Sequence, residues 1–252
     1  MICYHVNMEG LPKKEEKSLV SDISIYIENP EKYSELQNMR PDYRVAIEKT
    51  ISLIKKYFDG KGAITLVDCC GGTGNVTKKV SEVLPVTRAT IVDINEEFLK
   101  IAQSSGIKAE QIETIQSDIL KARLEKESDL VLSVFAYHHL PDNKKENYLQ
   151  IIFENLKKGG LLVLTEIYIP NKELTKKYYE KLLNEIPEKN PILEKFLNET
   201  ADSSDFEFKV SKEFADTQLK SLGFQELENV KIWPLDGDFS EDIGTFVQVF
   251  RK

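Results

Sequence analysis

The chain is poor in several residues whose abundance would mark a class of protein. It has three cysteines, Cys3, Cys69 and Cys70. Their spacing is not CxxC and no histidine accompanies them, so a zinc site is not expected. Read as free thiols, they suit a reducing compartment. There is one tryptophan and there are three histidines. No apolar run approaches the roughly 20 residues that cross a bilayer. Residues 1–10 show no basic segment followed by an apolar one, so no signal peptide is expected and the cytoplasm is the expected location. Positive charge is also in deficit. With 34 basic and 42 acidic residues the net charge is −8, which disfavours nucleic acid as a bulk partner. No internal repeat or low-complexity tract is present. What is present is apolar content of 41% over 252 residues, enough to build a sizeable core.

The apolar residues are distributed in a recognisable order. Ile47, Ile51, Ile54 and Phe58 share one face of a helix over residues 41–58, ended by Gly60 and Gly62. Residues 63–69, 88–94, 111–116, 129–135 and 161–167 read as strands, and residues 75–84, 96–104 and 144–156 as helices between them. Strands rich in branched residues that alternate with helices predict a parallel sheet covered on both faces. After Pro170 the alternation stops. Residues 171–198 read as one helical run and 201–205 as a polar turn. Residues 212–222 form another helix, and 224–232 and 245–251 two strands with no helix between them. The expected fold class is α/β: a Rossmann-like, seven-stranded, mostly parallel sheet with an antiparallel terminal strand pair and a helical cap. The expected organisation is a helical lid segment (1–62), a cofactor-binding core (63–169), a helical cap insertion (170–221) and terminal strands that complete the sheet (222–252).

The sharpest local signal is Asp68-Cys69-Cys70-Gly71-Gly72-Thr73-Gly74, between a strand and a helix. Glycines there allow a tight turn and close approach of a ligand to backbone. Asp93 ends the next strand about 20 residues after Gly72, where a carboxylate can accept from ribose hydroxyls. The dinucleotide fingerprint is not met, because counting from Gly72 puts Thr77 at the third glycine. A carboxylate at Asp68 also suits a cationic group better than a phosphate.

On these residues the sequence resembles the class I S-adenosylmethionine-dependent methyltransferases, particularly their small-molecule branch with UbiE-like motifs. LVDCCGGTG is similar to the family's first motif, D-x-G-x-G-x-G, with Cys70 in place of the first glycine. Asp93 in IVDIN resembles the ribose-binding acid, and Asp118 in QSDIL the residue that contacts the adenine amino group, with Ile119 offering its backbone N–H. DLVLSVFAYHHLPD and LKKGGLLVLTEIY resemble the fourth- and fifth-strand motifs. The resemblance implies S-adenosylmethionine as cofactor, S-adenosylhomocysteine as its product, and a cofactor site at Asp68, Cys70, Gly72, Gly74, Asp93, Ile94, Asp118, Ile119, Ser133 and Tyr33. No metal is implied.

Each of these positions also has a plainer reading. Asp68 could cap a helix or turn, Asp93 could be a surface acid, and Asp118 could cap a short helix over residues 119–124. Cys69 and Cys70 read as small packing residues, since no base is placed to activate them. His138 and His139 follow a buried strand and are the candidate catalytic residues, as general bases; the alternative is a histidine bonded within its own loop. Tyr26, Tyr33 and Tyr43 either line the methyl site or pack a lid. Arg40 and Arg44 either reach a cofactor carboxylate or sit in solvent.

The first functional expectation is methyl transfer to a small-molecule acceptor, by O- or N-methylation with C-methylation open. Methylation of a tRNA or protein, and a catalytically silent cofactor-binding subunit, stand as alternatives; a dehydrogenase ranks last because of Thr77. The expected partner is a small molecule rather than a membrane or nucleic acid, and a homodimer is open.

Overall fold

A computed structural model describes residues 30–124, 127–202 and 207–252. Helices α1 (Pro30–Met39) and α2 (Pro41–Phe58) lead into β1 (Ile64–Cys69). The alternation continues through α3 (Asn75–Val83), β2 (Val86–Asp93), α4 (Glu96–Ser104), β3 (Ala109–Gln116) and β4 (Ser128–Val134). A short 3₁₀ turn, Tyr137–His139, precedes α5 (Asp142–Asn155) and β5 (Leu156–Tyr168). Then come α6 (Lys172–Glu185), α7 (Pro191–Asp202), α8 (Lys212–Ser221), β6 (Gln225–Trp233) and β7 (Gly244–Arg251).

The strands form one sheet in the order β3-β2-β1-β4-β5-β7-β6. β1 pairs in parallel with both β2 and β4, while β7 runs antiparallel to both β5 and β6. The expected mixed sheet with an antiparallel terminal pair is therefore observed, with the last strand inserted between β5 and β6. The chain leaves β1 toward β2 on one side and reaches β4 on the other, so a switch point lies between β1 and β4. Open α/β sheets bind ligands at the carboxyl ends of strands at such a point.

Strand residues alternate between two cores, as the two-residue strand period requires. Leu66, Ile91, Leu132, Val163 and Val249 face one core with Ile47 and Ile54 of α2, Val80 of α3, Leu99 of α4 and Leu182 of α6. Val67, Val92, Val131, Leu164 and Phe250 face the other with Leu149 and Ile152 of α5 and Leu219 of α8. Asn95 caps α4 by accepting from the N–H groups of Glu97 and Phe98, which fixes where β2 turns into that helix.

The single helical run expected over 171–198 is two helices. α6 ends at Glu185 and α7 begins at Pro191. Pro187 and Pro191 bracket the break, and neither can continue a helix from the turn before it. The expected turn at 201–205 begins inside α7, and residues 203–206 lie outside the described residues, as do Tyr26, Cys3 and the rest of residues 1–29 of the expected lid segment. Residues 119–124 are turn and irregular chain, so the short helix expected there is absent. Among the described residues no helix is long and apolar enough to cross a membrane.

Candidate active site

A crevice opens above the carboxyl ends of β1, β4 and β5. Tyr33, Ser34 and Gln37 of α1 line one side, Asp68 and the glycine loop the floor, Phe135 and His138 a second side, and Tyr179 and Phe196 of the cap a third. The expected cap thus contributes a wall of the candidate site.

The glycine loop has its shape for definite reasons. Gly71 donates its N–H to Val92 O at 3.0 Å, and Gly72 donates to Asp93 Oδ2 at 2.9 Å. A Cβ at Gly71 would lie 2.7 Å from Asp68 Cγ and 2.8 Å from Ile91 Cγ2, so this position admits no side chain. Cys70 has φ +58°, a left-handed conformation that glycine adopts freely and other residues adopt at a cost. The glycine expected at that place in the resembled motif thus has a backbone reason, and this chain bears the strain. Phe135, across the crevice, is also left-handed, with φ +52°. Strained residues of this kind collect at functional sites.

Cys69 is buried and free, and burial raises its thiol pKa, in keeping with its reading as a packing residue. Cys70 is disulfide-bonded, which corrects the expectation that all the thiols are free and removes their support for a reducing compartment.

Asp68 is the most informative side chain. It is 1% exposed, lines the crevice, and accepts from Thr77, whose Oγ1 donates at 2.7 Å and whose backbone N–H donates as well. Burial pushes its pKa up to about 7; the Thr77 hydrogen bond opposes the rise and the Asp93 charge adds to it. A buried carboxylate with so few donors is poorly satisfied unless a cation or donor meets it from the crevice.

The other expected cofactor residues fall into two groups. Tyr33, Asp68 and Cys70 line the crevice together with Gly71 and Thr73. Tyr33 packs on Phe98 with ring centroids 5.3 Å apart, and the Ser34 and Thr73 hydroxyls are 3.1 Å apart, which seats α1 on the glycine loop. Gly72, Gly74, Asp93, Ile94, Asp118, Ile119 and Ser133 do not line the crevice. Asp93 accepts from Gly72 N–H and, at 2.9 Å, from Asn95 N–H. Asp118 accepts from Leu120 N–H at 3.0 Å in a turn, and the helix it was expected to cap in its plainer reading is absent. Its neighbour Ser117 donates to Asp93 O at 3.0 Å, so the two acids stand at adjacent strand ends. Ile119 is buried in the apolar cluster of the α5 face. Ser133 is fully buried and accepts from the Tyr148 hydroxyl at 2.8 Å.

Both candidate histidines line the crevice, their rings 4.2 Å apart. His138 Nδ1 meets Glu166 Oε1 in a short contact, and its backbone N–H donates to Glu166 Oε2 at 3.1 Å. Burial holds the His138 imidazole well below its usual value, with Lys209, Lys145 and Arg40 acting in the same direction. Glu166 was missed as a functional residue. The available signal was a lone acid inside the apolar run LLVLTEIY.

Arg40 does not sit in solvent. It is buried in a bidentate pair with Asp42, at the edge of the crevice. Tyr43 stacks on Phe135, centroids 5.5 Å apart, and its hydroxyl accepts from Asn75 Nδ2 at 3.3 Å.

A parallel Rossmann-like sheet with β7 antiparallel beside β5, a glycine loop after β1 and acids at the ends of β1 and β2 is the arrangement expected from the resemblance to the class I S-adenosylmethionine-dependent methyltransferases. Residues 66–160 match the family described as a methyltransferase domain. Over 121 residues it is 31% identical to the ubiquinone/menaquinone biosynthesis C-methyltransferase UbiE of Pseudomonas fluorescens, covering 46% of each chain. Over 115 residues it is 27% identical to the malonyl-[acyl-carrier protein] O-methyltransferase of Bacillus cereus, covering 46% of this chain and 42% of that one. The chain thus spans less than half the length of these relatives. Its fold is similar to that of 1,6-didemethyltoxoflavin-N1-methyltransferase from Burkholderia thailandensis, at TM-score 0.59 and 14% identity over 99% of this chain and 98% of that one. The N-methyltransferase NodS from Bradyrhizobium japonicum aligns at TM-score 0.57 and 17% identity, covering 84% of this chain and 88% of that one.

Proposed function

We propose that the protein transfers a methyl group from S-adenosylmethionine to a small-molecule acceptor held in the crevice between α1, the β4 turn and the α6–α7 cap. The observation that carries this reading is Asp68: a buried carboxylate, short of donors, at the switch point of the sheet and beside a glycine whose Cβ would fill the space next to it. Those features fit a compact cationic ligand, and the methionyl end of the cofactor is one. In the same reading Tyr33, Cys70, Gly72 and Gly74 border the cofactor, with Asp93 and Ile94 at its sugar and Asp118, Ile119 and Ser133 toward its base. When bound, the cofactor supplies an electrophilic methyl group, so no metal is needed to activate it.

The chain's own residues then have two tasks, to align the acceptor and to exclude water. Tyr43, Phe135, Tyr179 and Phe196 supply apolar wall for both. By their names the two relatives are a C-methyltransferase of ubiquinone/menaquinone biosynthesis and a malonyl-[acyl-carrier protein] O-methyltransferase, and the two structural neighbours reported above are N-methyltransferases. A compact crevice and an acidic chain favour a small acceptor over tRNA or protein. Titration calorimetry with S-adenosylhomocysteine tests the reading. Wild-type protein is expected to bind it, and Asp68→Asn to bind at least about tenfold more weakly, the loss of one charged hydrogen bond. Equal affinity in the two proteins would remove Asp68 from the site and the reading with it.

A further inference from the structure

Glu166 uses both carboxylate oxygens on one short stretch of neighbours. Oε2 accepts from His138 N–H at 3.1 Å, and Oε1 accepts from Ile167 N–H at 2.6 Å while also meeting His138 Nδ1. Both side chains are buried, at 6% and 1% exposure. Two backbone N–H donors favour the ionised carboxylate, and an ionised carboxylate turns the Nδ1 nitrogen into a donor. His138 lines the crevice. With Nδ1 turned to Glu166, Nε2 is the ring nitrogen left for a ligand.

We propose that Glu166 is the positioning residue of a His138–Glu166 pair, holding the ring proton on Nδ1 so that Nε2 accepts a proton from an acceptor that arrives protonated, such as a phenol, an enol or a ring N–H. This rests on the methyl-transfer reading and deepens it. The proton passes from the acceptor's nucleophilic atom to Nε2, and the electron pair of the broken bond stays on that atom. That pair forms the new bond to the methyl carbon, and the carbon–sulfur pair goes to sulfur as the sulfonium charge is lost. The imidazolium that results faces a buried carboxylate, which offsets its charge.

The surroundings set the pair's proton affinity. Lys145 from α5, Lys209 from the segment before α8, and Arg40 between α1 and α2 face it, and all three disfavour a charged imidazole. Burial pushes Glu166 up to about 7; the Ile167 and His138 N–H groups and the two lysines oppose that rise. The pair titrates as a unit.

Nitrogen-15 NMR of the full chain provides the test. At pH 8, wild-type His138 is expected to be neutral with its proton on Nδ1 and Nε2 bare. In Glu166→Gln the amide cannot serve three donors, so the Nδ1–H form is expected to lose its dominance. Its titration midpoint should fall, with proton affinity reduced about 10-fold or more by loss of the neighbouring charge. Glu166→Asp should recover part of that shift, which a purely packing role would not produce. A wild-type Nε2–H tautomer at pH 8, or an unchanged midpoint in Glu166→Gln, overturns the proposal. Calorimetry with S-adenosylhomocysteine separates the two readings: equal binding to wild type and Glu166→Gln is expected, whereas no binding to wild type overturns methyl transfer and the pair's role in it.

Discussion

Arg40 grips Asp42 with two nitrogens, Nε to Oδ1 at 3.1 Å and Nη2 to Oδ2 at 2.7 Å, at the junction where α1 gives way to α2 beside the crevice. Gln37 accepts from Nη1 at 2.9 Å, and the Tyr178 hydroxyl of the cap donates to Asp42 Oδ2 at 2.9 Å. The pair therefore ties lid, core and cap into one network. Removing one partner of a buried pair leaves the other uncompensated and costs about 3–5 kcal/mol, whereas replacing both by apolar groups is often neutral. Asp42→Asn is expected to lower the midpoint of urea unfolding by that amount of stability. The double variant Arg40→Met with Asp42→Leu should recover most of it. A single variant as stable as wild type would show that the pair does not hold the junction.

Asp68 predicts an inverse relation between stability and binding. Its folded pKa of about 7 stands above its ordinary value of 3.8. Between those values the folded chain holds a proton that the unfolded chain has released, so Asp68 reduces stability progressively as pH rises through that window. The cost is absent below the lower value and complete above the higher. Asp68→Asn, which cannot ionise, is expected to melt higher than wild type at pH 8 and to lose that advantage by pH 4. Calorimetry should show the opposite for ligand. Affinity for S-adenosylmethionine in wild type should rise from pH 6 to pH 8 as the carboxylate ionises, and in Asp68→Asn it should not. Parallel melting curves at both pH values would show that Asp68 carries no such penalty.

Gly71 offers a steric test of the same corner. An alanine there must displace Asp68 or Ile91, since its Cβ would stand under 3 Å from both. Overpacking of this kind costs about 1–3 kcal/mol, and here the displaced group is the carboxylate proposed to meet the ligand. Gly71→Ala is expected to lower stability in urea and to weaken S-adenosylhomocysteine binding together. Gly62→Ala is a useful contrast. It too has a left-handed backbone, φ +79°, but nothing lies within 4 Å of its Cβ position, so it should lose some stability and keep its affinity.

The periodic parts of the fold were legible in the sequence. The α2 and α4 spans match the apolar spacing at both ends, and β1, β2, β4 and β5 fall where the branched residues cluster. Burial of those strands leaves that signal, which is weaker in the exposed edge strand β3. The break at 186–190 was marked by two prolines yet masked by the continuing leucine and tyrosine stripe. At the site, the loop at 68–74 and His138 were readable because strand–turn–helix geometry confines them. The pairs were not. Asp42 finds Arg40 only when α2 turns, and Glu166 finds His138 only when β4 and β5 lie side by side. A lone charge in an apolar strand says that a partner exists, and only the fold says which.

Asp93 is where the loop's geometry and its proposed ligand meet. Its Oδ2 holds Gly72 N–H and its Oδ1 holds Asn95 N–H, both at 2.9 Å, so one buried side chain braces the glycine loop against the start of α4. Asp93→Ala orphans both donors, each at about 1–3 kcal/mol, and also removes the acid proposed to meet the ribose. Asp93→Asn keeps one acceptor oxygen and the volume, and places an amide where the other N–H must point. Affinity for S-adenosylhomocysteine is therefore expected to fall in both, by about 10- to 100-fold in Asp93→Ala, the equivalent of about 1.4–2.8 kcal/mol. Amide hydrogen exchange distinguishes bracing from contact. If Asp93 acts by holding the loop, the Gly72 and Asn95 amides should exchange faster in the unliganded Asp93→Ala protein than in wild type. Weakened binding with unchanged exchange would place its role wholly in the ligand, and unchanged affinity would remove it from the site.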